Sequence, residues 1–317
     1  MHHESGYLVH YDADMLQAAT SSEKQDMLRL IIDGMLKKDM RAGNTAYCLG
    51  QDLAGIPQYT RLDSISYDTE TSHGLLPTSV SLDLTRDMGR LQGFIQALKR
   101  WPEQQLVMDV GCGVFPVLAL ATAVFHPKAA VQAIEINPDA AEAAQIITKA
   151  FDLDDRIAIV SSDIYNHPID ANTTAAITET FNSGLQSEPG PKIVRLLHAN
   201  GIEVITPSAA ELCLTLDNLT FRQRIDLRHD THANIAFENW RHDPASKNRP
   251  DIRAEYYDDR GIVLQYDVDQ ISSGLGWRIE HLLSEALQTA GESGSVAYEL
   301  GAHPFNPQIL KPQLANS

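Results

Sequence analysis

Cysteine is scarce in this chain: Cys48, Cys112 and Cys213 are the only three in 317 residues, widely separated and with no C-x-x-C pair. An odd, scattered set builds neither a disulfide framework nor a zinc ribbon, and it fits a reducing, cytoplasmic setting. Positive charge is scarce too: 25 Lys and Arg stand against 42 Asp and Glu, for a net charge of −17. Nucleic acid and anionic membranes require clustered cations to neutralise phosphate, so neither is an expected partner. No apolar run reaches the roughly 18–20 residues of a membrane span. The opening MHHESGYLVHYDAD lacks the basic patch and apolar core of a signal peptide. Internal repeats and low-complexity tracts are missing as well. What is there is ordinary for a soluble protein with a sizeable core, 43% hydrophobic and 21% charged residues. At about 150 residues per domain, the length suggests two domains.

The first hundred residues read as helix and loop. Ser22-Glu-Lys-Gln25 has capping-box spacing ahead of Met27, Leu28, Ile31, Ile32, Met35 and Leu36, which recur at helical intervals. Residues 43–80, rich in Gly, Ser, Thr, Asp and Pro, read as an irregular segment. A helix from about Ser81 to Trp101 follows, with Leu84, Met88, Leu91, Ile95 and Leu98 on one face and Pro102 as its stop. From Gln105 strands alternate with helices. Strands are predicted over Leu106–Val110, Ala130–Glu135, Arg156–Val160, Thr174–Thr178 and Ile202–Thr206. Helices are predicted over Val117–Val124, from Asn137 to about Phe151, and over Ile193–His198. That alternation argues an α/β fold with a parallel, doubly wound sheet. After Pro207 the pattern changes to short strands, Glu211–Leu216, Gly261–Tyr266 and Ser295–Glu299, between loops rich in Asp, Asn and Arg, with one helix at about Arg278–Ala290. The expected divisions are an N-terminal helical segment over 1–104, a Rossmann-like domain over 105–206 and a mainly antiparallel β-barrel-like domain over 207–317.

Asp109-Val-Gly111-Cys-Gly113 sits between a predicted strand and a predicted helix, where glycines let the backbone approach a ligand and a helix N-terminus favours negative charge. It is not a dinucleotide fingerprint, because Pro116 stands where G-x-G-x-x-G needs glycine or alanine. The motif resembles the acidic-x-Gly-x-Gly of the class I S-adenosylmethionine-dependent methyltransferases, although Phe115 replaces that family's frequent third glycine. The resemblance implies S-adenosylmethionine as cofactor. It implies that Glu135, ending the second strand, binds the ribose hydroxyls, and that Asp163, after the third, holds the adenine amino group. A Rossmann-like fold whose carboxylates only cap helices is the plain alternative.

After the fourth strand comes Ile177-Thr-Glu179-Thr-Phe-Asn-Ser-Gly-Leu-Gln-Ser-Glu188. Two carboxylates nine residues apart, flanking a loop with Gly184, can fold back as a clamp, and a planar guanidinium with forked donors suits two carboxylates best. The arrangement is similar to the double-glutamate hairpin of the protein arginine methyltransferases. Leu84-Thr-Arg-Asp87-Met-Gly-Arg90-Leu-Gln-Gly-Phe94 is similar to that family's entry helix, where an Asp stands three residues before an Arg and an aromatic four after it, and the likeness implies that Arg90 holds the cofactor's carboxylate. His198-Ala-Asn-Gly201-Ile-Glu-Val-Ile-Thr-Pro207 resembles the family's passage into its β-barrel. Gly301-Ala-His303-Pro304 resembles its Thr-His-Trp loop, which makes His303 a candidate to orient the acceptor or a glutamate. A homodimer is also implied, with the polar stretch from about Asp217 to Asp258 as the candidate dimer arm.

The family's tyrosine-rich N-terminal helix has no counterpart beyond Tyr59 and Tyr67, and Thr180 and Phe181 replace the usual aromatic and methionine after the first glutamate. These departures point to a small guanidino substrate, free arginine or an arginine-derived metabolite in natural-product biosynthesis, rather than a protein chain. The alternatives are methyl transfer to an amine, hydroxyl or carbon of another small molecule, and a catalytically silent binding protein, which Phe115 and Pro304 would favour. His229-Asp-Thr-His232 has no third ligand at ordered spacing, so no metal is expected. Cys112 reads as a packing residue, and Arg241, Arg249 and Arg253 as a solvated basic face.

Overall fold

The computed structural model describes residues 11–56, 78–181, 190–216, 219–229, 251–257, 263–268, 296–299 and 311–314. The chain divides into two compact units: residues 1–179 with 196–206, and residues 180–195 with 207–317.

The first unit begins with helices α1 (Ala13–Ala18), α2 (Ser21–Leu36) and α3 (Met40–Ala54). The capping box of α2 lies two residues upstream of the expected one. Thr20 Oγ1 accepts from the Glu23 N–H, and the Glu23 carboxylate accepts from the Thr20 N–H at 2.8 Å. Where an irregular segment was expected from residue 43, α3 runs to Ala54, between an N-cap at Asp39 and a left-handed Gly55. Its glycines and alanines read as loop, yet Ala42, Gly43, Ala46, Leu49 and Gly50 recur at helical spacing and are buried. The helix expected over Ser81–Trp101 is broken. It consists of α4 (Thr78–Asp83), a 3-10 turn at Leu84–Arg86 and α5 (Met88–Arg100). Asp87 leaves the helical conformation at φ −78° and ψ 77°, and its carboxylate caps α5 by accepting from the Arg90 N–H at 3.1 Å.

Strands β1 (Leu106–Val110), β2 (Ala130–Glu135), β3 (Ile157–Ser161), β4 (Ala175–Thr178) and β5 (Val204–Thr206) form a parallel sheet in the order β3-β2-β1-β4-β5. Helices α6 (Val117–Phe125), α7 (Pro138–Ala150) and α8 (Gly190–Ala199) alternate with the strands. The buried runs of β1 and β4 are nearly continuous, as a sheet covered on both faces requires. Asn137 caps α7, with Pro138 in the first turn, where its missing N–H costs nothing. Because β1 pairs with both β2 and β4, the strand order reverses between β1 and β4, the place where open α/β sheets bind ligands.

The N-terminal helices belong to the same unit as this sheet. From α2, Ser21 donates to Asp152, Lys24 Nζ pairs with Asp152 Oδ1 at 2.9 Å, and Gln25 Nε2 donates to the Phe151 carbonyl at 3.2 Å, all at the end of α7.

In the second unit β6 (Ala209–Leu216), β7 (Leu219–Asp226), β8 (Asp251–Tyr257) and β9 (Val263–Val268) form an antiparallel sheet in the order β7-β6-β8-β9, and β10 (Val296–Glu299) pairs antiparallel with β11 (Lys311–Leu314). β7 and β8 fall where polar loops were expected. Their charged residues alternate with Phe221 and Ile225, or with Ile252, Ala254 and Tyr256, the period-2 pattern of a strand with one polar side. The helix expected at Arg278–Ala290 lies outside the described residues.

Candidate functional site

The reversal between β1 and β4 collects the acidic residues of the first unit. Asp109, on β1, is 1% exposed; its Oδ2 accepts from the Ala119 N–H in the first turn of α6 at 3.0 Å, while its buried Oδ1 has no hydrogen-bond partner among the described residues. Burial pushes this carboxyl up to about 7. The Ala119 bond pulls the other way, and the nearby negative charges of Glu135 and Glu179 add to the rise.

The glycine loop after β1 is held at successive amides. Gly111 and Cys112 donate to the Ile134 carbonyl at 2.8 and 3.2 Å, Gly113 donates to Glu135 Oε2 at 2.9 Å, and Val114 donates to Ser81 Oγ at 3.1 Å. Gly113 adopts φ +65°, and a Cβ there would also meet Ser81 Oγ at 2.3 Å, so glycine is required for two reasons. Phe115, at the usual third glycine, is buried in the core. Glu135 ends β2 and is 9% exposed, and its Oε1 accepts from the Asn137 N–H at 2.9 Å. Burial raises its carboxyl above the ordinary value despite the bonds from Asn137 and Gly113. The Cys112 thiol is likewise pushed up by burial, which leaves it protonated and inert.

Asp163 lies two residues beyond β3, half-buried, and accepts from the Tyr165 N–H at 3.0 Å and from Asn166 Nδ2 at 3.1 Å. It shapes its own turn and leaves its other lone pairs available.

Glu179 directly follows β4. Its Oε1 receives Arg90 Nη1 at 3.0 Å, with side-chain exposures of 9% for Glu179 and 19% for Arg90. Arg90 Nε lies 3.2 Å from Asp87 Oδ2, so one guanidinium serves two carboxylates. Thr178 donates to the Val110 carbonyl at 3.0 Å, binding the end of β4 to the end of β1. In the second unit the Gly190 N–H donates to the Thr180 carbonyl at 3.0 Å. A Cβ on Gly190 would come within 2.6 Å of both the Phe181 ring and that carbonyl. Glu188 and His303 lie outside the described residues, as do Tyr59, Tyr67, Pro304 and His232.

Of the expected site residues, Asp109, Gly111 and Gly113 stand at the end of β1 and in the loop after it, Glu135 at the end of β2, Glu179 after β4 with Arg90 of α5 paired to it, and Asp163 past β3. The sequence reading missed Ser81, which has no local signature, being a serine 33 residues from the amide it meets. Among the described residues no group of three His, Cys, Asp or Glu is placed to hold a metal ion, and no helix is long and apolar enough to cross a membrane.

A family model described as a methyltransferase small domain matches residues 88–180. No curated protein matches the chain in sequence. Among solved structures, protein arginine methyltransferase 10 of Arabidopsis thaliana is 21% identical over 40% of this chain and 38% of its own, with a TM-score of 0.36. PRMT6 is 13% identical over 62% of this chain and 85% of its own, at 0.45. The PRMT1 enzyme–prozyme complex of Trypanosoma brucei is 20% identical over 44% of each chain, at 0.37. The match to the first and third of these therefore spans less than half of their length. The segment that matches the methyltransferase small domain, residues 88–180, holds β1 to β4 of the parallel sheet, the glycine loop after β1 and the acid ending β2, and in these features it resembles a class I S-adenosylmethionine-dependent methyltransferase domain.

Proposed function

We propose that this chain methylates a guanidino nitrogen of a small molecule, free arginine or an arginine-derived metabolite, as a step in natural-product biosynthesis. The observation that carries the reading is the Arg90–Glu179 pair: the carboxylate that follows β4 already accepts a guanidinium at 3.0 Å. Planar forked donors match carboxylates in a way that a lone amine or hydroxyl does not. The hydrogen bond from the Gly190 N–H, two residues beyond Glu188 in sequence, to the Thr180 carbonyl supports a role for Glu188 as the second carboxylate.

S-adenosylmethionine supplies an electrophilic methyl on a sulfonium, so what the chain contributes is alignment and control of the acceptor's charge. The donor set fits the cofactor. Glu135 keeps lone pairs for two ribose hydroxyls, Asp163 for an adenine amino group, and the buried free oxygen of Asp109 marks a polar site beside the loop. In this reading Arg90 holds the cofactor's carboxylate and divides its donors between that group and Glu179. Glu179 and Glu188 hold the acceptor guanidinium and draw its positive charge away from the attacking nitrogen, and one of them accepts the proton released. His303 orients the acceptor or a glutamate.

The wider reading keeps the Rossmann-like domain at 105–206 between a helical segment at 1–104 and a barrel-like substrate and dimerisation domain at 207–317. It makes the protein a cytoplasmic homodimer.

The test incubates the protein with S-adenosylmethionine and L-arginine, homoarginine, agmatine, guanidinoacetate or an arginine-rich peptide, read by mass spectrometry for added methyl. One small guanidine is expected to gain methyl, and Glu179→Gln and Glu188→Gln are each expected to lower the rate about 100-fold or more. Methylation of the peptide alone would overturn the small-molecule substrate. If calorimetry shows cofactor binding and no guanidine gains methyl, the guanidino reading falls.

A further inference from the structure

We infer that Ser81 is a positioning residue of the cofactor site, fixing the last amide of the glycine loop from a helix that lies outside the strand–loop–helix motif. In that motif the loop amides find acceptors on β2: Ile134 serves Gly111 and Cys112, and Glu135 serves Gly113. The Val114 N–H is the exception. Val114 and Phe115 are drawn into the core at 0% and 3% exposure, where an amide without an acceptor carries a full desolvation penalty. Ser81 Oγ, on α4, supplies that acceptor at 3.1 Å.

Two further features make this a defined contact. The Ser81 hydroxyl stands over Gly113, 2.3 Å from where a Cβ would be, so it rests on the loop residue in the left-handed conformation. Its neighbour Leu82 is fully buried and meets α3 at Gly50, where a Cβ would come 2.5 Å from Leu82 Cδ1, so α4 is seated from its other side. Nine residues on, the same segment delivers Arg90 to Glu179. The stretch from Ser81 to Arg90 thus touches the loop after β1 and the residue after β4, on either side of the strand reversal. Without the hydroxyl, the loop spends part of its time with the Val114 amide turned to another acceptor, and the observed affinity falls by the fraction of loops still in place.

The experiment compares Ser81→Ala and Ser81→Thr with the parent chain by calorimetric titration of S-adenosylmethionine and S-adenosylhomocysteine. Hydrogen exchange of the 110–117 peptide is followed in the cofactor-free protein. Ser81→Ala is expected to weaken both ligands by about tenfold, equivalent to about 1.4 kcal/mol, because both use the same loop. The same change is expected to speed exchange in the loop by a similar factor. Ser81→Thr, which keeps the acceptor oxygen, is expected to stay within about twofold of the parent. Should Ser81→Ala fail to fold, Ser81→Cys, close in size and a poor acceptor, takes its place. Unchanged affinity alongside a lowered melting temperature would overturn the inference, leaving Ser81 a strut of α4. So would equal losses in the Ala and Thr variants. The experiment uses no methyl acceptor, so its outcome is separate from that of the guanidine panel.

Discussion

Asp109 departs far from the ordinary chemistry of its side chain. It is 1% exposed, has one oxygen without a hydrogen-bond partner among the described residues, and carries a carboxyl raised to about 7. An acid whose folded value lies above its unfolded value of about 4 favours folding while protonated. That contribution is complete below the unfolded value and is lost as pH rises through the folded one, between roughly pH 4 and pH 7. Asn at this position is neutral throughout and keeps a carbonyl oxygen for the Ala119 N–H. The melting temperature of Asp109→Asn, measured without cofactor from pH 5 to pH 8, should therefore gain on the parent as pH rises to about 7 and hold a constant lead above it. A constant difference across that range would show that Asp109 is not titrating there.

At the level of elements, several ends are held by side chains from distant positions. Arg156 shows this most plainly. Its Nη2 donates to the carbonyls of Ala123, His126 and Ala129 at 3.1, 3.0 and 3.3 Å, satisfying the end of α6 and the turn into β2. Arg156→Ala leaves those carbonyls without a charged donor and should cost about 2 kcal/mol of stability, read as a lower denaturant midpoint at unchanged slope. Arg156→Lys, a single point of charge in place of a planar fork, should recover only part of it. The broken helix between Thr78 and Arg100 has the same kind of cause. Its apolar spacing is continuous, but Asp87 caps α5 from a non-helical conformation, and the periodicity of the sequence carries no trace of that choice.

Across the whole first unit, the N-terminal helices complete the core. Leu28, Ile31, Ile32, Met35 and Leu49 are fully buried, and α2 and α3 lie in one compact unit with the sheet. Removing residues 1–56 would uncover a contiguous apolar face. The shortened chain is expected to be aggregation-prone, and the intact chain to unfold this unit in a single transition. Recovery of a soluble, cofactor-binding protein starting at residue 57 would show that the sheet folds without those helices.

The sequence by itself determined the parallel sheet of the first unit and its glycine loop. A strand, a Gly-x-Gly turn and a helix, followed by an acid ending the next strand, are local patterns set by backbone geometry and hydrophobic period, so Asp109, the glycine loop and Glu135 were legible along the chain. The tertiary structure decided what meets them. Arg90 reaches Glu179 across 89 residues and Ser81 reaches Val114 across 33. Helix α3 emerged from a glycine-rich stretch that read as loop because its small residues face other helices. Strands β7 and β8 emerged from stretches in which charged residues alternate with apolar ones. In each case the deciding energy comes from a partner far along the chain, which a local window of sequence does not contain.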